Sequence, residues 1–149
     1  MTPEEFEKEI NRHAAQITEA VNRTIPVKVG VAAEKFVKNN FRQGGFVNNG
    51  LQPWTPAKRI GKIKGARSQY KTLMSGRNHL FNSTGHRVEP ATAIVYNDCE
   101  YADVHNSGLK AGRGAGFSMP KRQFIGESAE LDKQVEQIID TEISKIINL

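Results

Sequence analysis

Between Arg42 and Tyr70 the sequence shows neither the three-to-four spacing of a helix nor the alternation of a strand, and this gap constrains everything around it. Gln43-Gly44-Gly45 and Asn48-Asn49-Gly50 are turn signals, and Gln52-Pro53-Trp54-Thr55-Pro56 carries too much proline for either regular state. Unpatterned stretches of this length are uncommon in compact domains and are usually functional or disordered. The stretch therefore reads as a long excursion, with Trp54 as its anchor into the core. It is also basic. No acid occurs between Glu34 and Glu89, while Arg42, Lys58, Arg59, Lys62, Lys64, Arg67, Lys71, Arg77 and Arg87 accumulate. The acids gather instead near the C-terminal end, at Glu127, Glu130, Asp132, Glu136, Asp140 and Glu142. A molecule with one basic and one acidic pole can dock head to tail, and copies joined that way close into a ring when the rotation permits.

On either side of the gap the pattern is helical. Thr2-Pro3-Glu4-Glu5 offers a hydroxyl cap, proline at the first helical position and glutamate at the third, which is a capping box. Phe6, Ile10, Ala14, Ile17 and Val21 then form one apolar stripe, predicting a helix from Pro3 to about Arg23. Ile25-Pro26 should break it, because the residue before proline avoids helical angles, and Pro26 should open a second helix. Its stripe is Val29, Ala33, Phe36, Val37 and Phe41. Ser128 should cap a last helix with Leu131, Val135, Ile138, Ile139, Ile143, Ile146 and Ile147 on one face, expected to be the principal core element. Between them, Val88 and Ala93-Ile94-Val95-Tyr96 flank Pro90-Ala91-Thr92, predicting a hairpin that turns near Glu89 to Thr92. Tyr101 to His105 should make one helical turn, and Arg122 to Ile125 a short edge strand. The resulting fold class is α+β: a single domain over 1–149, with N-terminal helices and a C-terminal helix packed on a small antiparallel sheet, and with long basic and Gly-rich loops.

Composition narrows the function. A chain of 149 residues with 38% hydrophobic content can bury a core. No apolar run reaches membrane-spanning length, and the acidic Met1-Thr2-Pro3-Glu4-Glu5 is unlike a signal peptide, so cytoplasmic retention and no membrane partner are expected. Cys99 is alone, which leaves no internal disulfide and no cysteine-pair zinc site. Asp103 and His105 are the one close acid and imidazole, with Ser107 near in sequence, but nearness along the chain is weak support for a triad. His105 reads better as a buried or capping histidine that pins the following loop. Gly112-x-Gly114-x-Gly116 lacks the flanking strand, helix and distant acid of a dinucleotide fingerprint and reads as a flexible loop. No catalytic residue, metal or cofactor is expected.

Two short segments bracket that glycine-rich loop. Tyr101-Ala102, His105-Asn106-Ser107-Gly108, and Met119-Pro120-Lys121-Arg122-Gln123-Phe124-Ile125-Gly126-Glu127-Ser128, followed by an amphipathic helix, resemble the phage virion morphogenesis (tail completion) family of Mu-like phages and prophages. Trp54-Thr55-Pro56 before a basic run, and Leu73 and Leu80 around a Ser/Gly turn, resemble it more weakly. Ser83-Thr84-Gly85 departs from it, its glycine coming later than the family's Gly-x-Leu step. The resemblance implies a non-enzymatic protein of tail completion or head-tail (neck) joining. It would be found in the virion, and in the host bacterial cytoplasm during assembly. Its partners would be phage tail or neck proteins, with a homo-oligomeric ring as a further expectation. Candidate partner-binding residues are Lys58, Arg59, Lys62, Lys64, Arg67 and Lys71 in the excursion, with His105, Arg113, Arg122 and Phe124 near the glycine-rich loop. The alternative is a nucleic-acid-binding module in which the basic 58–77 segment neutralises phosphates and Trp54 and Tyr70 stack on bases.

Overall fold

The computed structural model describes residues 1–61 and 64–148. Helix α1, Pro3–Glu19, starts as its capping box dictates: Glu5 N donates to Thr2 Oγ1 at 3.1 Å and Thr2 N donates to Glu5 Oε2 at 2.7 Å. The Ile25-Pro26 pair does not end the helix. Ala20–Thr24 forms a wider π-turn, and α2, Ile25–Gln43, continues from it with Pro26 in its first turn. Proline has no N–H and its ring crowds the carbonyl four residues back, here that of Asn22. A π-turn relieves this by widening the ladder. The Asn22 carbonyl accepts instead from Ala91 N, 3.3 Å away in a neighbouring hairpin. Gly44, at φ 71°, closes α2 and donates to Asn40 O at 3.0 Å.

Three two-stranded antiparallel ribbons, separate among the described residues, take the place of the single small sheet. Strands β1, Gly45–Val47, and β2, Leu51–Pro53, form a hairpin inside the excursion. After the short helix α3, His79–Asn82, come β3, Thr84–Glu89, and β4, Thr92–Asn97, paired from Thr84↔Asn97 to Glu89↔Thr92 as the sequence predicts. This hairpin lies on α2, and Gly30 permits the approach, since a Cβ there would stand 2.5 Å from His86 Cδ2. Helix α4, Ala102–Ser107, supplies the expected helical turn. Strands β5, Lys110–Ala111, and β6, Phe117–Ser118, close the glycine-rich stretch into a third hairpin.

The core gathers around the C-terminal half of α2. Phe41 is fully buried, with the rings of Phe124, Phe81 and Trp54 at 4.8, 5.8 and 5.9 Å. Trp54 is the anchor expected of it: it is buried, and its Nε1 donates to Gln123 O at 2.8 Å. Helix α5, Ala129–Ile147, is capped by Ser128 Oγ, which accepts from Leu131 N at 3.2 Å. It is not the principal core element. Its one buried residue is Glu142, bound by Lys28 and Lys145, while Ile139 is 39% and Ile147 54% exposed. The α1 stripe is likewise open, with Phe6 56% and Ile10 50% exposed and no residue of α1 buried. Both helices are amphipathic, yet the aromatic side chains that fill the interior come from α2, the excursion, α3 and Phe124. No helix among the described residues is long and apolar enough to cross a membrane.

Candidate functional site

Residues 122–125 do not form the predicted edge strand, because side chains satisfy most of their backbone groups and the His105 carbonyl takes the Arg122 N–H. Asn106 Oδ1 accepts from Phe124 N at 2.9 Å and from Ile125 N at 3.0 Å. The fully buried Asn40 donates from Nδ2 to Phe124 O at 3.1 Å, and Arg122 N donates to His105 O at 2.8 Å. The segment is thereby fixed between α2 and α4, with Phe124 in the core and Arg122 beneath the excursion. Phe124 is 1% exposed, so its ring offers nothing to a partner and belongs to packing.

Arg122 begins the strapping of the excursion. It is buried, and its guanidinium donates from Nε to Thr55 O at 2.8 Å and from Nη2 to Pro56 O at 3.4 Å. Arg59 does more. Its Nη1 donates to Arg67 O and Tyr70 O, both at 2.7 Å, and its Nη2 to Lys71 O at 3.0 Å and Met74 O at 2.9 Å. A planar fork with fixed N–H directions suits this gathering of carbonyls as a lysine could not. Lys71 Nζ ties the loop to Arg42 O at 3.1 Å, and Ala57 N donates to the buried Thr72 Oγ1 at 3.0 Å. The basic run is thus a built platform, and Arg59, Arg122 and Lys71 spend hydrogen bonds on holding it together.

What the platform presents outward is charge. Lys58, Lys64 and Arg67 are exposed, and none pairs with an acid among the described residues. Lys62 lies outside the described residues. Arg113 is exposed at the tip of the β5–β6 hairpin. His105 is half-buried in α4; burial, and then the Arg122 charge, hold its imidazole below the ordinary histidine range. Arg122 is lowered in turn by burial and then by Arg59. Tyr101 is raised by burial and then by Cys99. Asn106 lies within the His105-Asn106-Ser107-Gly108 segment, but its positioning role and that of Asn40 are not legible in sequence, since nothing local to an asparagine announces the distant backbone it will satisfy. No cluster of His, Cys, Asp or Glu among the described residues could hold a metal ion.

The sequence profile of the phage virion morphogenesis family aligns with residues 4–144, nearly the whole chain. Neither a curated protein nor a solved structure matches it.

Proposed function

Since the chain belongs to the phage virion morphogenesis family, we propose that it is a non-enzymatic structural protein of tail completion or head-tail joining, docking through its basic platform onto acidic surfaces of neighbouring tail or neck proteins. The observation that carries this is the strapped platform: Arg59 and Arg122 hold the loop while Lys58, Lys64 and Arg67 point outward without an acid partner among the described residues. Charge arranged on a fixed surface steers encounter and selects partners, and like charges brought together cost several kcal/mol. Copies of the chain are themselves suitable neighbours. Asp132, Glu136 and Asp140 are exposed on α5, opposite in sign to the platform, and suit a head-to-tail ring.

The test is complementation of a phage lacking this gene with the Lys58→Glu, Lys64→Glu double variant. Both side chains are exposed, so the purified protein should melt as the wild type does. The titre should fall about a hundredfold or more, with unfinished tails or unjoined heads by electron microscopy. A normal titre would refute the docking role.

Non-specific contact with DNA is the second reading, favoured by the same acid-free run. Its aromatic half is weakened by the positions of the rings: Trp54 is buried and Tyr70 half-buried, so neither is free to stack on bases. Duplex binding with a steep salt slope, abolished by the double reversal while particles still assemble, would transfer the platform to this role.

A further inference from the structure

Beside the platform lies a cavity of about 310 Å³ whose lining includes Arg59, Arg122, Tyr101, His105, Leu80 and Met119. Its two guanidinium groups have no acid among the lining residues. Arg122 is 7% exposed, and its two hydrogen bonds use Nε and one proton of Nη2. The Nη1 protons and the second Nη2 proton have no partner among the described residues, which leaves the end of the fork open. All four terminal protons of Arg59 go to carbonyls, so its charge is positioned but not neutralised by an acid. His105 forms part of the wall, and its Nδ1 is buried without a partner among the described residues. A buried charge lacking a counter-ion is costly, and here burial first, and then the like charge of Arg59, depress Arg122.

We propose that this cavity is a carboxylate pocket, in which the open Nη edge of Arg122, backed by the charge of Arg59, receives one carboxylate of a neighbouring virion polypeptide. Both ends of the requirement are met by this chemistry. A guanidinium fork binds a carboxylate through two parallel N–H···O bonds, and Leu80 and Met119 cover the methylene stem that carries it. The volume stands at the lower end of ligand sites, which span roughly 300 to 1,000 Å³, so the pocket suits one side chain or chain terminus and is small for a nucleotide. The assignment rests on the assembly reading only in taking the carboxylate to be carried by a polypeptide; the binding chemistry does not depend on it.

The experiment uses purified full-length protein and two probes at matched ionic strength, N-acetylglutamate and inorganic phosphate. The readouts are the Arg122 Nε–H and His105 ring resonances by NMR. N-acetylglutamate should shift both saturably, with a Kd of about 1 to 10 mM as befits a fragment, and should bind more tightly than phosphate. It should also raise the pH at which His105 titrates, because a nearby negative charge favours the imidazolium. Tighter binding of phosphate, or no binding of either, overturns the proposal. Arg122 variants risk unfolding the protein, so the control is Ser75→Glu: Ser75 is exposed and lines the same cavity. Its introduced carboxylate should occupy the pocket and abolish N-acetylglutamate binding with a Tm no lower than that of the wild type, since it supplies the missing counter-charge. Undiminished binding in that variant overturns the proposal. Failure here would leave the phage complementation result standing, and a normal titre there would not alter this titration.

Discussion

Replacing Asn106 by alanine removes one oxygen and leaves two backbone donors without an acceptor, those of Phe124 at 2.9 Å and Ile125 at 3.0 Å. A buried N–H stripped of its partner costs about 1 to 3 kcal/mol. Asn106 is half-buried, so water can reach part of the site and the lower half of that range applies to each donor. The sum is about 2 to 4 kcal/mol, with the packing of Phe124 at risk beyond it. For a domain of this size 1 kcal/mol moves the melting temperature by about 2 to 4 °C, so Asn106→Ala should melt some 5 to 15 °C below the wild type. Asn106→Asp keeps an acceptor for both donors and should remain within about 1 kcal/mol. Urea unfolding followed by tryptophan fluorescence suits the measurement, because Trp54 bonds Gln123 O in the same segment. An Asn106→Ala protein within about 0.5 kcal/mol of wild type would refute the view that side chains take the place of a sheet partner here.

Other consequences follow from burial and charge. Phe41→Ala should cost about 3 to 5 kcal/mol by chemical denaturation, whereas Phe6→Ala, at a position 56% exposed, should stay within about 0.5. Because the folded protein holds His105 below the ordinary 6.5, its contribution is complete above that pH and is lost as pH falls through the lower folded value. The Tm of wild type should therefore drop more steeply below pH 6.5 than that of His105→Gln, and parallel profiles would contradict this. Arg59→Lys cannot gather four carbonyls and keeps its trypsin site, so limited trypsinolysis within 55–77 should accelerate while the global Tm changes little. Equal cleavage rates would show that Arg59 does not hold the platform.

Features set by neighbouring residues were legible in the sequence. The capping box at Thr2, the Ser128 cap, the α2 stripe and the 84–97 hairpin all depend on side chains a few positions apart. The exposed stripe of α1 and the half-buried stripe of α5 show the limit of periodicity, which reports that a helix has an apolar face but not how far this chain covers it. Arg122 to Ile125 has strand-like composition, and only the fold brings Asn106 and Asn40 to its backbone before a strand can. In sequence Arg59 stands in a run of cations and reads, like its neighbours, as a partner-binding charge. Its four acceptors are carbonyls, which any residue supplies, so no sequence pattern distinguishes the strap from the outward lysines beside it.

Zero-length carbodiimide cross-linking of purified particles, read by mass spectrometry, tests the docking role most directly because it joins lysines only to carboxylates in contact. Lys58 and Lys64 are exposed and unpaired in the free chain among the described residues. In particles they should cross-link to Asp or Glu of a neighbouring tail or neck protein or of a second copy, while Lys8 on the open face of α1 should not. Absence of the chain from purified particles, or Lys58 and Lys64 as unlinked there as in the free protein, would contradict the account.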